Sequence, residues 1–142
     1  MGKIKDIIDN FEKEFQQPFR ISRRDEHIAA AEELTKDETI DFAFLAKRQK
    51  TNNYSVVSLS DSRIAVVQST IFGRPTCYSI PWISVTGLDV YQLSRVFSSA
   101  SIRIEHKGGT GSLSLLKVSK YAIYDIEKII LGYIQKNADK RK

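Results

Sequence analysis

Side chains able to do acid–base or nucleophilic chemistry are few in this chain and do not converge. His27 and His106 are isolated from one another, and eleven of the seventeen carboxylates fall within residues 1–41. Cys77 is the only cysteine and has no histidine close in sequence to activate it, so a packed thiol is expected. A single cysteine also excludes an internal disulfide framework and a cysteine-built zinc site within one chain. Catalysis needs a nucleophile with its base, or clustered metal ligands. Neither pattern is present, so the chain reads as a non-enzyme with no catalytic residue, no metal and no cofactor. The turn Gly108, Gly109, Thr110, Gly111 has the composition of a phosphate loop, but no lysine follows and it leads into a strand where a helix N-terminus would be required. A hairpin turn is the better reading. Arg63 fits a residue that fixes a hairpin or holds a local carboxylate.

Basic side chains offer the other kind of chemistry, recognition of anions. The net charge of +5 conceals an asymmetry: residues 1–41 contain seven Lys or Arg against eleven Asp or Glu, and residues 42–142 contain fifteen against six. Either the acidic segment lies against the basic body, or the body is free to attract anionic lipid, nucleic acid or an acidic partner. An unevenly charged, merely solvated surface is the plain alternative. Lys47, Arg48 and Lys50 form a basic run within the body.

These residues must be positioned by strands and helices whose periods are readable. Ile4, Ile7, Ile8, Phe11 and Phe15 recur at helical spacing, predicting an amphipathic helix that ends before Pro18. Its polar face mixes acids and bases, so packing on protein is favoured over an anionic bilayer. Ser22 is placed to cap a second helix running to about Leu34, within which His27 reads as a packing or surface residue. From Thr39 the period becomes two. Ile40, Phe42 and Phe44 mark a first strand ending in the basic run, and Asn53 to Gln68 reads as a hairpin turning at Ser60 to Arg63. A fourth strand, Thr76 to Ile80, stops at Pro81, and a fifth, Ile83 to Tyr91, carries Gly87 as a bulge candidate. Trp82 and Tyr91 are read as core or edge cover before exposed anchors. A loop over 92–100 precedes a sixth strand with Ile102, Ile104 and His106 on one side, and a seventh carries Leu113 and Leu115. Ser119 then caps a last helix, 119–137, striped by Ile123, Ile126, Ile130 and Ile134 and followed by a basic tail.

At 142 residues the chain suits one domain with an appendage: a helical segment at 1–35 and a β-rich domain at 36–142. The start shows no uninterrupted apolar run of signal-peptide type, and no later run approaches the roughly 20 residues that span a bilayer. A cytoplasmic protein is expected. The class is α+β, mainly β: a strongly bent antiparallel sheet whose open end one helix can cover.

That order of elements, the hairpin LSDSRIAVV from Leu59 to Val67 and the segment YSIPWISVTGLDV from Tyr78 to Val90 resemble the bacterial pleckstrin-homology-like domains. The resemblance covers roughly residues 36–137. It implies a bent seven-stranded antiparallel barrel closed by a C-terminal helix, here preceded by two helices, and a non-catalytic binding or assembly module. Some such domains bind phosphoinositides through a basic cluster between the first two strands, where this chain has Lys47, Arg48 and Lys50. The strand that follows, Tyr54 to Leu59, departs from the pattern by lacking paired basic residues. In this fold the first, third and sixth inter-strand loops share one end, which would bring Lys47, Arg48 and Lys50 together with Phe72, Arg74 and Lys107.

Two binding modes are therefore expected. The first is a protein partner or copies of the chain itself, docking through Ile4, Ile7, Ile8, Phe11 and Phe15. The second is an anionic surface, such as the inner face of a membrane, met by the basic loop cluster with Phe72 dipping into its apolar boundary. Nucleic acid ranks third, because the strands lack the exposed aromatics between basic residues on which bases stack.

Overall fold

The structure is a computed structural model and describes residues 3–15, 23–49, 53–68, 74–91, 99–108 and 111–138. In chain order it contains α1 (Lys3–Glu14), α2 (Arg24–Leu34), β1 (Ile40–Arg48), β2 (Asn53–Ser60), β3 (Arg63–Gln68), β4 (Thr76–Pro81), β5 (Val85–Tyr91), β6 (Ser99–His106), β7 (Ser112–Ser119) and α3 (Ile123–Ala138). The strands form one antiparallel sheet in the order β4-β3-β2-β1-β7-β6-β5. A single 3-10 turn, Trp82–Ser84, links β4 to β5, so the fifth strand starts two residues later than the expected Ile83. The sixth starts earlier than expected, at Ser99.

Alternation along the strands builds two apolar layers. Phe44, Ala46, Val57, Leu59, Ile64 and Val66 point into the barrel core, where they meet Ile102, Ile104, Leu113 and Leu115 from the second half of the sheet. The residues between them face outward and are buried too: Ala43, Leu45, Val56, Ala65 and Val67 lie beneath Ile4, Ile8, Ile28 and Ala31 of the two N-terminal helices. Strands buried on both faces read as nearly continuous apolar runs, which is how β3 appears in sequence. A register shift between Ile40 and Phe42 sends Ile40 to the outer layer and Phe42 to the inner one.

The apolar stripe of α1 is thus occupied by its own chain. Ile4, Ile8 and Phe11 are buried, and Ile7 and Phe15 pack against the same clusters. Phe11 reaches past the outer layer to Phe42 and Phe44, with ring centroids 5.8 and 6.4 Å away, and Phe15 lies 5.1 Å from it. Both phenylalanines belong to β1, which pairs with β7 at Lys47↔Leu116 and Arg48↔Leu115. Residues 1–35 are an appendage in sequence, yet the helix within them completes the barrel core. Arg24 secures α1 to α2, donating to Asp9 at 2.7 Å and to Glu12. The expected Ser22 cap lies outside the described residues; Arg23, in a left-handed conformation, precedes α2.

The last helix closes the end of the barrel where β1 begins and β2 turns into β3. The helix begins at Ile123, later than the expected Ser119, which ends β7 and whose hydroxyl accepts from the Tyr121 amide at 3.3 Å in the intervening turn; Ile123, Ile126, Ile130 and Tyr133 are buried. Trp82 is fully buried, stacked on Tyr133 with centroids 4.8 Å apart, and its indole donates to the Ser60 carbonyl at 2.6 Å. Tyr133 Oη donates to Asp41 at 2.6 Å, and Lys136 pairs with Asp61 at 2.9 Å. Burial and the neighbouring Asp41 carboxylate push the Tyr133 phenol well above the usual tyrosine range.

Candidate functional site

Strand register puts the β1–β2, β3–β4 and β6–β7 connections at the opposite end from this lock. β1 and β2 finish on Arg48↔Asn53, β3 and β4 on Gln68↔Thr76, and the Gln49 amide donates to Ser114 of β7 at 3.0 Å. The glycine-rich connection is a hairpin turn, with Gly108 and Gly111 at φ 86° and 80° and the Gly111 amide donating to the Gly108 carbonyl. Lys50 and Phe72 lie outside the described residues.

The strand pleat separates the basic pair at the end of β1. Lys47 points to the outer face, its ammonium 5.6 Å from the centroid of the Tyr54 ring. Arg48 points into the barrel mouth, where its guanidinium lies 4.1 Å from the centroid of Tyr78 on β4. Tyr78 Oη and His106 Nε2 are 2.7 Å apart, and His106 Nδ1 is 3.1 Å from the carbonyl oxygen of Lys107. With Nδ1 donating to that carbonyl, Nε2 accepts the phenolic proton. A chain of contacts therefore runs from β1 through β4 to the end of β6. Arg74 and Lys107 are exposed at the same end. Of the expected cluster, Arg48 reaches Tyr78 and through it His106, Lys107 joins that chain only by its backbone carbonyl, Arg74 lies at the start of the β4 segment, and Lys47 is on the other face.

Tyr78 and His106 are site residues that composition alone did not single out. The signal was the period of two: His106 continues Ile102 and Ile104, and Tyr78 precedes Ile80 on the same side of β4. Arg63 is bound as expected, to Glu38 through Nε at 2.9 Å and through Nη2, and this partner holds the Glu38 carboxyl below its ordinary range. Cys77 differs from expectation: it is exposed, because it sits on the outward side of edge strand β4, where no layer covers it. His27, on α2, is buried.

Among the described residues, no three His, Cys, Asp or Glu side chains gather as a metal-binding group, and no helix is long and apolar enough to cross a membrane. A groove of about 610 Å³ beside Ile4, Ala29 and Ile40 is rimmed by both signs of charge, Lys3 and Lys36 against Glu32 and Glu33.

A seven-stranded antiparallel half-barrel, bent on itself and closed by one C-terminal helix, defines a pleckstrin-homology-like fold. Solved bacterial structures share it. One is a pleckstrin homology domain from Shewanella amazonensis SB2B, with TM-score 0.51 and 14% identity over 81% of this chain and 90% of that one. Another is a DUF1696 family protein with a pleckstrin-homology domain from Shewanella loihica PV-4, with TM-score 0.54 and 12% identity over 80% of this chain and 94% of that one. No family model and no curated protein matches the chain.

Proposed function

We propose that this chain is a non-catalytic interaction module that docks on an anionic surface through the open end of its barrel. The observation that carries the reading is the contrast between its two candidate surfaces. The α1 stripe is buried on the chain's own sheet, whereas the open end presents Arg48, Arg74 and Lys107 at an aromatic mouth, with Lys47 on the outer face of the same strand end. The fold supports an interaction role in general terms.

Each basic residue near an anionic bilayer contributes about 1 kcal/mol. Reversing Lys47 and Lys107 to glutamate should therefore lower partition onto anionic vesicles by more than about tenfold. Co-sedimentation with phosphatidylglycerol vesicles, against zwitterionic vesicles as blank, measures it. Equal binding by the wild type and Lys47→Glu/Lys107→Glu would refute the open end as the docking surface.

A protein contact is the second reading. Tyr124 and Leu131 on α3, and Tyr121 in the turn before it, stand 62, 48 and 53% exposed. Light scattering of the wild type and Leu131→Glu tests the self-association form of this reading; a monomer in both cases removes it.

A further inference from the structure

The closing helix α3 buries one face and carries a second, ordered one toward solvent. Ile123, Ile126, Ile130, Tyr133 and Asn137 are buried, whereas Tyr124, Lys128, Leu131, Gly132 and Gln135 are all exposed. At about 100° per residue, these five fall within about 50° of one line along the outer side of the helix. Two of them, Tyr124 and Leu131, are large and apolar. Among the described residues six large apolar side chains stand exposed, and α3 with the turn before it holds three of them. Single exposed apolar residues need no cause, but a group on one helix marks an interaction surface.

Gly132 is the second sign. It lies inside the helix, and a Cβ built there would meet no atom within 4 Å. Alanine would fit the single chain and favour the helix, so the chain's own packing does not require glycine at this position. What glycine leaves is a bare strip of backbone beside Leu131. The distance between packed helices is set by the side chains at the contact, and a missing one lets a second helix come close.

Charge placement selects the occupant. Lys128 is the one charged residue of the five. Two copies of the line set antiparallel about a two-fold axis at Leu131 and Gly132 bring Lys128 of each opposite Gln135 of the other, an acceptor for its ammonium. The same alignment sets Asp125, in the first turn of one copy, near the level of Lys136, in the last turn of the other, and opposes the two helix dipoles. A parallel pair would place Lys128 against Lys128. We infer that two copies of this chain pair antiparallel through the outer faces of α3, with the Leu131 side chains in contact across the axis and Gly132 letting the backbones close. This rests on the protein-contact reading of α3 and gives it an occupant and a geometry. One helix pair is a small interface, so the dimer forms and parts with concentration.

Two measurements on the full chain test it. Sedimentation velocity from micromolar to near-millimolar protein should show a monomer–dimer equilibrium. Leu131→Glu, which sets two carboxylates face to face, and Gly132→Leu, which fills the bare strip, should each weaken the dimer by more than about tenfold. Gly132→Leu should also raise the thermal midpoint of the dilute protein by a few degrees, which separates loss of pairing from loss of fold. The second measurement reads the alignment. In a Cys77→Ser background, Lys128→Cys protein mixed with Gln135→Cys protein and oxidised with glutathione disulfide should cross-link to each other in preference to either with itself. A monomer at every concentration overturns both the α3 pair and the self-association reading. A dimer that survives Leu131→Glu and Gly132→Leu, or that cross-links Lys128→Cys protein mainly to itself, overturns the antiparallel α3 pair and leaves self-association to another surface.

Discussion

Replacing Phe11 by alanine tests whether α1 belongs to the barrel core. Phe11 is 4% exposed, and its ring stands 5.1, 5.8 and 6.4 Å from the rings of Phe15, Phe42 and Phe44. Truncating a phenylalanine so enclosed removes its transfer free energy and leaves a cavity that rigid strands cannot fill, at about 3–5 kcal/mol. The aromatic pairings place Phe11 toward the middle or top of that range, at about 4 kcal/mol. With an m-value of about 2 kcal/mol/M, the urea midpoint falls by about 2 M. Equilibrium unfolding followed by far-UV circular dichroism and by Trp82 fluorescence reads this directly. Leu131→Ala, on a 48% exposed position, is the control and should stay within about 0.5 kcal/mol of the wild type. The reasoning fails if Phe11→Ala keeps the wild-type midpoint, or if circular dichroism shows helix loss at low urea while Trp82 keeps the wild-type curve. Either result would make α1 an independent appendage.

Tyr133→Phe keeps the stack on Trp82 and removes only the hydrogen bond to Asp41, so thermal unfolding should show a loss of about 1–2 kcal/mol. Because the folded-state pKa of Tyr133 is raised, the unfolded chain releases that proton first; this contribution is present at neutral pH and lost as pH rises past the ordinary tyrosine value near 10, which stability measured against pH will report in the wild type but not in Tyr133→Phe. Glu38 has the opposite sign. Its carboxyl is depressed by Arg63, so its stabilisation is complete above the ordinary glutamate value and lost as pH falls through the folded-state pKa; Glu38→Gln should flatten that acid limb and cost about 1 kcal/mol at neutral pH. Arg24→Gln removes the tie to Asp9 and Glu12 and should cost about 1 kcal/mol, with faster amide exchange in α1 than in β2 as its signature.

The fold was legible because its periods are clean. Alternation from Ile40 to Gln68, the proline after Ile80 and the isoleucine stripe of α3 each name an element and its buried side. The Gly87 bulge candidate is likewise met by a register shift between Val85 and Gly87. Less was legible where two layers compete for one strand. Ala43, Val56 and Ala65 look like solvent-side positions of a one-faced sheet; they are buried because α1 and α2 cover that face, and no local pattern shows which distant helix will do so. The basic run shows the same limit for the site. Lys47 and Arg48 are adjacent in sequence and read as one cluster, yet a strand sends neighbours to opposite faces, so only Arg48 joins the mouth. Its partners Tyr78 and His106 come from other strands, and pairwise proximity of that kind follows from register, which composition does not encode.

The narrow seam between β1 and β7 has a mechanical meaning. Separating β1 from β2 would break eight paired positions, whereas parting β1 from β7 breaks two. The β1–β7 line is the narrowest backbone pairing in the sheet. Arg48 sits on one of those two pairs, and Phe11 packs further along β1 on Phe42 and Phe44. A helix from the start of the chain therefore braces the one strand that joins the two halves of the sheet through its short pairing beside the mouth.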